Sequence, residues 1–202
     1  VSAWADGSGN SNDVAQATAS KQPSRIGYGG ANDKAYISFD GKNDSMSSNN
    51  NCPITAGEFT IFTVSKQNTG NVDRFSVFNY ERTPIELNIG FSNNRHSSYI
   101  TNGSSLAFYE ALISSEYALL ATSFNNTGRL TSSVNQGGNS SSTVAGWVET
   151  TKFNLSPFNI ALRNTNVFSD TNIEEIIVYN RELSDSEKSD VKGYLNLKYK
   201  IY

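Results

Sequence analysis

The stretch FTIFTVSK, which runs from Phe59 to Lys66, decides the fold class. Successive side chains of a β-strand point to opposite faces of the sheet, so Phe59 and Ile61 share one face and Phe62 lies on the other. Both faces of this stretch are largely apolar, which is typical of a strand that is covered on both sides. The stretch therefore predicts a central strand in the core of the domain.

Eight further short runs are apolar or alternate between apolar and polar residues, and clusters of Asn, Gly, Ser and Asp separate them. They are residues 35–39, 74–80, 85–91, 106–111, 117–124, 130–134, 159–163 and 173–179. Polar segments such as 67–71 and 125–128 are typical of hairpin loops, because Asn and Gly tolerate a positive φ. The pattern predicts an all-β fold with two packed antiparallel sheets. We expect the core to include Phe39, Ile61, Phe62, Val77 and Ile177.

One helix is indicated, at the end of the chain. Ser184 and Glu187 have the spacing of a capping box, in which each side chain bonds the backbone N–H of the other residue. Val191, Tyr194 and Leu195 follow at helical spacing. We expect this helix to pack on the sandwich.

Length and composition limit the classes of function. At 202 residues with 37% hydrophobic residues, the chain predicts a single domain over residues 1–202, and we expect it to be excised from a larger protein. The net charge of −3 argues against nucleic acid, which needs clustered Lys and Arg. No run approaches the ~20 apolar residues of a membrane span, so we expect no membrane insertion. Abundant Asn and Ser with only 17% charged residues favour an extracellular, cell-surface or virion location.

Several segments together resemble a known family. They are Trp4-Ala5-Asp6-Gly7, Phe39-Asp40-Gly41, the run through Tyr179-Asn180-Arg181 into the capped helix, and Gly193-Tyr194-Leu195. In this order they resemble the concanavalin A-like, laminin-G-like jelly-roll domains of bacterial and phage surface proteins. The resemblance runs from end to end and implies a two-sheet jelly roll with a C-terminal helix. It also implies an adhesion or carbohydrate-binding module whose partner is a glycan or cell-surface polysaccharide.

The sequence gives little support to catalysis. Glycosidases need two carboxylates on either side of one bond, and no predicted strand has acidic residues at alternating positions. Glu174 and Glu175 are adjacent, so in a regular strand they point to opposite faces. We expect Glu175 to bond neighbouring backbone or the terminal helix. The chain is therefore predicted not to be an enzyme.

Candidate ligand-binding residues are polar or aromatic side chains in predicted loops. Trp147 follows a Gly/Ser-rich segment and can stack on a sugar face, although burial is an equal alternative. Tyr99 with nearby Asn102 is a second candidate platform. Arg95 and His96 are interpreted as an exposed turn that can contact a ligand rather than catalyse a reaction.

Three carboxylates suggest a possible cation site. Asp6, Asp40 and Asp44 lie in oxygen-rich segments of the kind that bind Ca²⁺. Asp next to Gly also stabilises tight turns by bonding its own backbone, and we favour that interpretation.

Three functions remain open from the sequence. The favoured one is a non-catalytic glycan-binding or adhesion module. The second is a structural domain of a virion tail, fibre or decoration assembly whose partners are other protein subunits. A glycan-degrading enzyme ranks third.

Overall fold

The computed structural model describes residues 1–55, 57–68, 75–92, 95–112, 116–147, 153, 156–164 and 166–202. These residues form seventeen strands, two short 3-10 helices (Ala19–Lys21 and Ala31–Asp33) and one α-helix, α1 (Asp185–Tyr199). The strands are β1 (Ala3–Trp4), β2 (Val14–Ala15), β3 (Ser24–Ile26), β4 (Tyr36–Asp40), β5 (Met46–Ser48), β6 (Phe59–Gln67), β7 (Phe75–Arg82), β8 (Ile85–Ser92), β9 (Arg95–Thr101), β10 (Leu106–Leu112), β11 (Ala118–Phe124), β12 (Arg129–Val134), β13 (Ser140–Thr143), β14 (Phe158–Ile160), β15 (Leu162–Arg163), β16 (Val167–Phe168) and β17 (Asp170–Tyr179).

The strands form two large antiparallel sheets. The larger sheet has the order β1-β2-β5-β14-β7-β8-β9-β10, and the smaller has the order β13-β12-β11-β6-β17-β4-β3. Strands β15 and β16 form a separate hairpin. The predicted two-sheet sandwich with one C-terminal helix is confirmed.

Two layers of apolar side chains hold the fold together. The main layer lies between the sheets and includes Phe39, Phe59, Ile61 and Phe78. The second lies between the smaller sheet and α1 and includes Phe62, Val64, Leu119, Leu183, Leu195 and Tyr199. Strand β6 contributes its two faces to the two layers, and every residue from Phe59 to Ser65 is buried. The prediction of a central strand is therefore confirmed.

The terminal helix begins where the sequence predicts. The Ser184 side chain accepts the backbone N–H of Glu187, and the Glu187 carboxylate accepts the backbone N–H of Ser184 at 2.9 Å. Leu195 is buried against the sheet, whereas Tyr194 is 52% exposed. Tyr199, one turn after Leu195, is the buried aromatic of the helix instead.

Some predictions on the strands were wrong. Residues 95–101, interpreted in part as a turn, form β9 in the larger sheet, between β8 and the edge strand β10. The segment Ser140–Thr143 forms an edge strand although its composition is typical of a loop. Ile177 is only half-buried, because its side chain packs at the margin of the layer under α1. Phe39, Ile61, Phe62 and Val77 are buried as predicted.

Strand β17 changes its surroundings halfway along. It pairs with β4 only as far as Ile173, whereas on its other side the pairing with β6 continues to Tyr179. The register against β6 shifts between Ile173 and Glu175, which marks a bulge at Glu174. Within the described part of the chain, residues 174–179 thus have a strand neighbour on one side only.

No helix in the described residues is long and apolar enough to cross a membrane.

Candidate functional site

A cleft of about 930 Å³ opens along the uncovered part of β17. Five consecutive residues of this strand, from Glu174 to Val178, line it. Because successive side chains of a strand alternate between faces, a space that touches five in a row must run along the edge of the strand. The cleft therefore follows the edge that β4 leaves uncovered.

The wall opposite β17 comes from the N-terminal segment and the larger sheet. Its inner part is apolar and includes Val14, Phe78, Phe158 and Ile160. Trp4 is half-buried and packs on the main core. The cleft therefore has an apolar floor that continues into the space between the sheets.

The outer rim of the cleft is polar and is formed by residues 5–12. Asp6 organises this loop: its carboxylate accepts the backbone N–H of Ser8 at 2.8 Å, the Ser8 hydroxyl at 2.7 Å, and the backbone and side-chain N–H groups of Asn12 at 3.0 and 3.1 Å. The hydrogen bonds from Ser8 are the main reason why the pKa of Asp6 falls to about 2. Asp6 is thus ionised, with both oxygens engaged in holding the loop.

Glu174 occupies the bulge and is only 9% exposed. One carboxylate oxygen accepts the backbone N–H of Ala31. The other, Oε2, has no hydrogen-bond partner among the described residues. Burial raises the pKa of Glu174 to about 7, although the Ala31 N–H opposes the shift. Gly30 is required beside this carboxylate, because a Cβ at that position would overlap it.

The negative charge of Glu175 is paired with a lysine of the terminal helix. Its Oε2 accepts a hydrogen bond from Lys198 Nζ at 3.0 Å, and both residues line the cleft. The expectation that Glu175 bonds the terminal helix is therefore confirmed. Glu174 and Glu175 both line the cleft, because the cleft follows the edge of β17 and this strand is bulged at Glu174.

The aromatic and polar residues predicted to bind a ligand are not gathered at this cleft. Tyr99 is 4% exposed, and its hydroxyl donates to Glu86 and accepts from Arg163 Nε at 2.8 Å. Burial is the main cause that raises its pKa, with Glu86 adding to the effect. This ring therefore joins β8 and β9 to the β15–β16 hairpin rather than offering a surface platform.

His96 was interpreted as part of an exposed turn, and this was wrong. The ring is 0% exposed and stacks on Phe91, with ring centroids 5.0 Å apart. It lies inside β9, on the face that points between the sheets together with Ile100. Arg95, the first residue of this strand, is exposed.

Trp147 and Asn102 have structural contacts. The Trp147 ring packs edge-on against Phe124 with centroids 4.5 Å apart, and stacks on Phe153 at 5.9 Å. The sequence left two roles open for Trp147, stacking on a sugar or burial. The structure favours burial, because the ring packs against other aromatic side chains. Asn102 accepts the backbone N–H groups of Ser104 and Ser105 and forms the turn between β9 and β10.

The three carboxylates considered for Ca²⁺ act as turn residues. Asp40 accepts the backbone N–H groups of Lys42, Asn43 and Asp44, and Asp44 accepts that of Asp40 at 3.2 Å. Gly41 between them has a φ of 69°, which favours glycine. Among the residues that the structure describes, no group of three His, Cys, Asp or Glu side chains is arranged to hold a metal ion.

Sequence reasoning missed the cleft itself. Trp4 was noted only in a motif of the resembled family, Asp6 was considered only as a turn or cation-binding residue, and Glu174 was considered only as a strand residue. The signal available was the pair of adjacent glutamates in the otherwise apolar stretch of residues 173–179, which regular alternation does not explain.

Comparison with known proteins gives matches of fold only. No protein-family model matches the chain, and no curated protein sequence matches it. Among solved structures, the binding domain of Paraclostridial Mosquitocidal Protein 1 aligns with a TM-score of 0.70 and 16% identity over 95% of this chain and 50% of that one. The binding domain of botulinum neurotoxin DC, solved in complex with rat synaptotagmin II, aligns with a TM-score of 0.62 and 12% identity over 80% of this chain and 42% of that one.

A third neighbour is similar to this chain in length. It is domain 4 of AbnA, a GH43 extracellular arabinanase from Geobacillus stearothermophilus, in complex with arabinotriose. It aligns with a TM-score of 0.65 and 15% identity over 84% of this chain and 81% of that one. The chain spans half or less of the two toxin binding domains but most of this domain. At these identities the three neighbours establish a shared β-sandwich fold.

Proposed function

We propose that the chain is a non-catalytic carbohydrate-binding or adhesion module and that the cleft along β17 is its ligand site. One observation carries the proposal: a single open cleft has both an apolar floor next to Trp4 and an exposed polar rim. Sugars present apolar C–H faces and many hydroxyl groups, so they need both kinds of surface. Trp4 offers a flat ring for the first, and the loop at residues 5–12 offers groups for the second.

The carboxylates of the cleft support binding rather than hydrolysis. A glycosidase needs one carboxyl group that donates a proton and a second that acts as nucleophile or base. Asp6, with a pKa of about 2 and both oxygens engaged, is a poor proton donor. Glu175 is held by Lys198 at 3.0 Å. These contacts leave Glu174 as a single carboxylate without a catalytic partner among the described residues of the cleft.

The structural neighbours agree with this proposal. Two are binding domains, and the third was solved with an oligosaccharide. With them we propose that the chain belongs to a secreted or surface-exposed protein, as the composition, rich in Asn and Ser with only 17% charged residues, favours.

A glycan array followed by titration calorimetry tests this function. We expect specific hits whose affinity falls about tenfold or more in Trp4→Ala, since truncating a Trp anchor at a binding site commonly costs over ~1 kcal/mol. Because Trp4 also packs on the core, Asn10→Ala on the exposed rim serves as a second variant. Phe108→Ala, on the exposed face of β10 at the far edge of the same sheet, is the matched control and should leave affinity unchanged. The absence of any hit, or equal binding by all three variants, would contradict the proposal.

A second candidate function is an assembly domain whose partner is another protein subunit. The observation that favours it is an apolar stripe on the edge strand β10, where Leu106, Phe108 and Leu112 are 51%, 38% and 74% exposed. Exposed apolar edge strands promote pairing between chains. Light scattering over a range of concentrations tests it: an oligomer lost in Leu112→Lys supports this function, and a monomer at all concentrations argues against it.

A further inference from the structure

The cleft touches both sides of the smaller sheet. Ile176 and Val178, on one face of β17, pack on the apolar layer between the sheets, where Trp4 also packs. Ile177, on the opposite face of the strand, packs on the layer under α1. All four residues line the same cleft. The cleft therefore runs around the free edge of β17, from the space between the sheets to the side that carries α1.

Glu175 and Lys198 line the part of the cleft that faces α1. Their charges are paired at 3.0 Å, yet their side chains remain 22% and 37% exposed. The Lys198 ammonium group also lies 3.5 Å from the hydroxyl of Tyr194 and 5.7 Å from the centre of its ring. Tyr194 is thus the next side chain beyond the lining of the cleft on this side.

Tyr194 is available to a ligand. Its side chain is 52% exposed, and it belongs to neither of the two apolar layers that the described residues form. A tyrosine ring combines an apolar face with a polar hydroxyl, which suits a binding surface. The contact with Lys198 restrains the ring, so less conformational entropy is lost when a sugar stacks on it.

A second exposed ring, that of Tyr28, lies at the same end of the cleft. Tyr28 is 80% exposed and comes two residues before Gly30, whose backbone lies against the Glu174 carboxylate in the lining of the cleft. In the same segment, the Asn32 side chain donates to the backbone carbonyl of Lys198 at 3.1 Å. The segment therefore contacts both Glu174 and α1, and two exposed tyrosines flank this end of the cleft.

We propose that the cleft binds an extended glycan chain, which stacks on Trp4 on one side of the smaller sheet and on Tyr194 and Tyr28 on the other. Packed layers lie about 10 Å apart, so one sugar ring cannot reach both platforms. Several linked rings can, and the exposed polar groups of Glu175 and Lys198 lie between the platforms. The inference rests on the proposed glycan-binding function and specifies its ligand as an oligosaccharide or polysaccharide chain rather than a single sugar.

The length of the glycan is the variable that tests this inference. A glycan array that carries each repeating unit from the monosaccharide to the hexasaccharide is probed with the wild-type chain, and the series that binds best is titrated by calorimetry. We expect the hexasaccharide to bind about tenfold or more tightly than the disaccharide of the same series, since only the longer chain gains the second aromatic contact.

The double variant Tyr28→Ala/Tyr194→Ala assigns the length preference to the two rings. Both side chains are exposed, so the melting temperature should not change. The variant should bind the two lengths with similar affinity and should bind the disaccharide as the wild type does. Tyr28→Phe/Tyr194→Phe keeps both rings and should keep the preference. Phe108→Ala, at the far edge of the larger sheet, is the matched control and should also keep it.

The outcomes separate this inference from the proposed function. Equal affinity of the wild type for the two lengths would refute the extended site and leave glycan binding in place. The same conclusion would follow if the preference persisted in the alanine double variant, if it were lost in the phenylalanine double variant, or if the alanine changes weakened the disaccharide as much as the hexasaccharide. No binding of any glycan would remove both proposals.

Discussion

Lowering the pH from neutral to about 5 should destabilise the folded protein through His96. The ring is fully buried between the sheets and stacks on Phe91. Burial lowers the pKa of His96 from 6.5 to about 3, against a smaller opposite effect of the Gly90 backbone. Between these pH values the folded protein keeps the ring neutral, whereas the unfolded chain takes up a proton.

The sign and size follow from this difference. Because the unfolded state binds more protons in the window, the free energy of unfolding falls as the pH decreases from 6.5 towards 3. Each pKa unit corresponds to ~1.36 kcal/mol, so the loss is about 2 kcal/mol near pH ~5. It approaches about 5 kcal/mol near pH ~3, a large part of the stability of a typical domain.

Urea denaturation of the wild type and His96→Gln at neutral pH and near pH ~5 measures this contribution. Glu174 acts in the opposite sense: its raised pKa of about 7 means that its stabilising contribution is present below 4.5 and is lost as the pH rises through 7. Both proteins retain Glu174, so its effect cancels in the comparison. An equal pH dependence of the two proteins, or an NMR titration of folded His96 near 6.5, would refute the reasoning.

Three further predictions concern other buried or capped groups. Ser184→Ala should lower the free energy of unfolding by about 1 kcal/mol, since it removes the acceptor of the Glu187 N–H, while Ser186→Ala on the exposed face should have little effect in the same urea titration. Cys52 is buried and its pKa is raised by burial to about 12, so a thiol reagent should label it only when urea unfolds the protein; rapid labelling of the native protein would contradict its placement. Glu174→Gln should stabilise the protein above pH ~7, where the wild type has a buried charge, and this advantage should shrink in acid; a variant that is less stable at every pH would argue against the buried carboxylate.

The regular elements were predictable because their signals are local. The apolar pattern from Phe59 to Lys66 predicts a strand with two buried faces, and the spacing of Ser184 and Glu187 predicts the start of α1. Both depend on residues that are close in sequence, so the chain itself carries the information.

Strand β9 shows where local signals fail. The polar start of its sequence, from Arg95 to Ser98, is typical of a turn, yet His96 and Ser98 lie inside the sandwich. Ser98 bonds Thr122 of the facing sheet, with 2.8 Å between the two hydroxyl oxygens. Such a polar pair is stable in the core only because the partner comes from a distant part of the chain, and composition does not show that partner.

The sequence by itself therefore determined the sandwich, its central strand and the capped helix, because each depends on periodicity, composition or short-range capping. The tertiary structure alone decided the site. The cleft exists because β4 separates from β17 after Ile173 and because a bulge turns Glu174 towards Ala31, a residue 143 positions away in the chain. Regular alternation places Glu174 and Glu175 on opposite faces, and only the packing of these distant segments brings both carboxylates into one cleft.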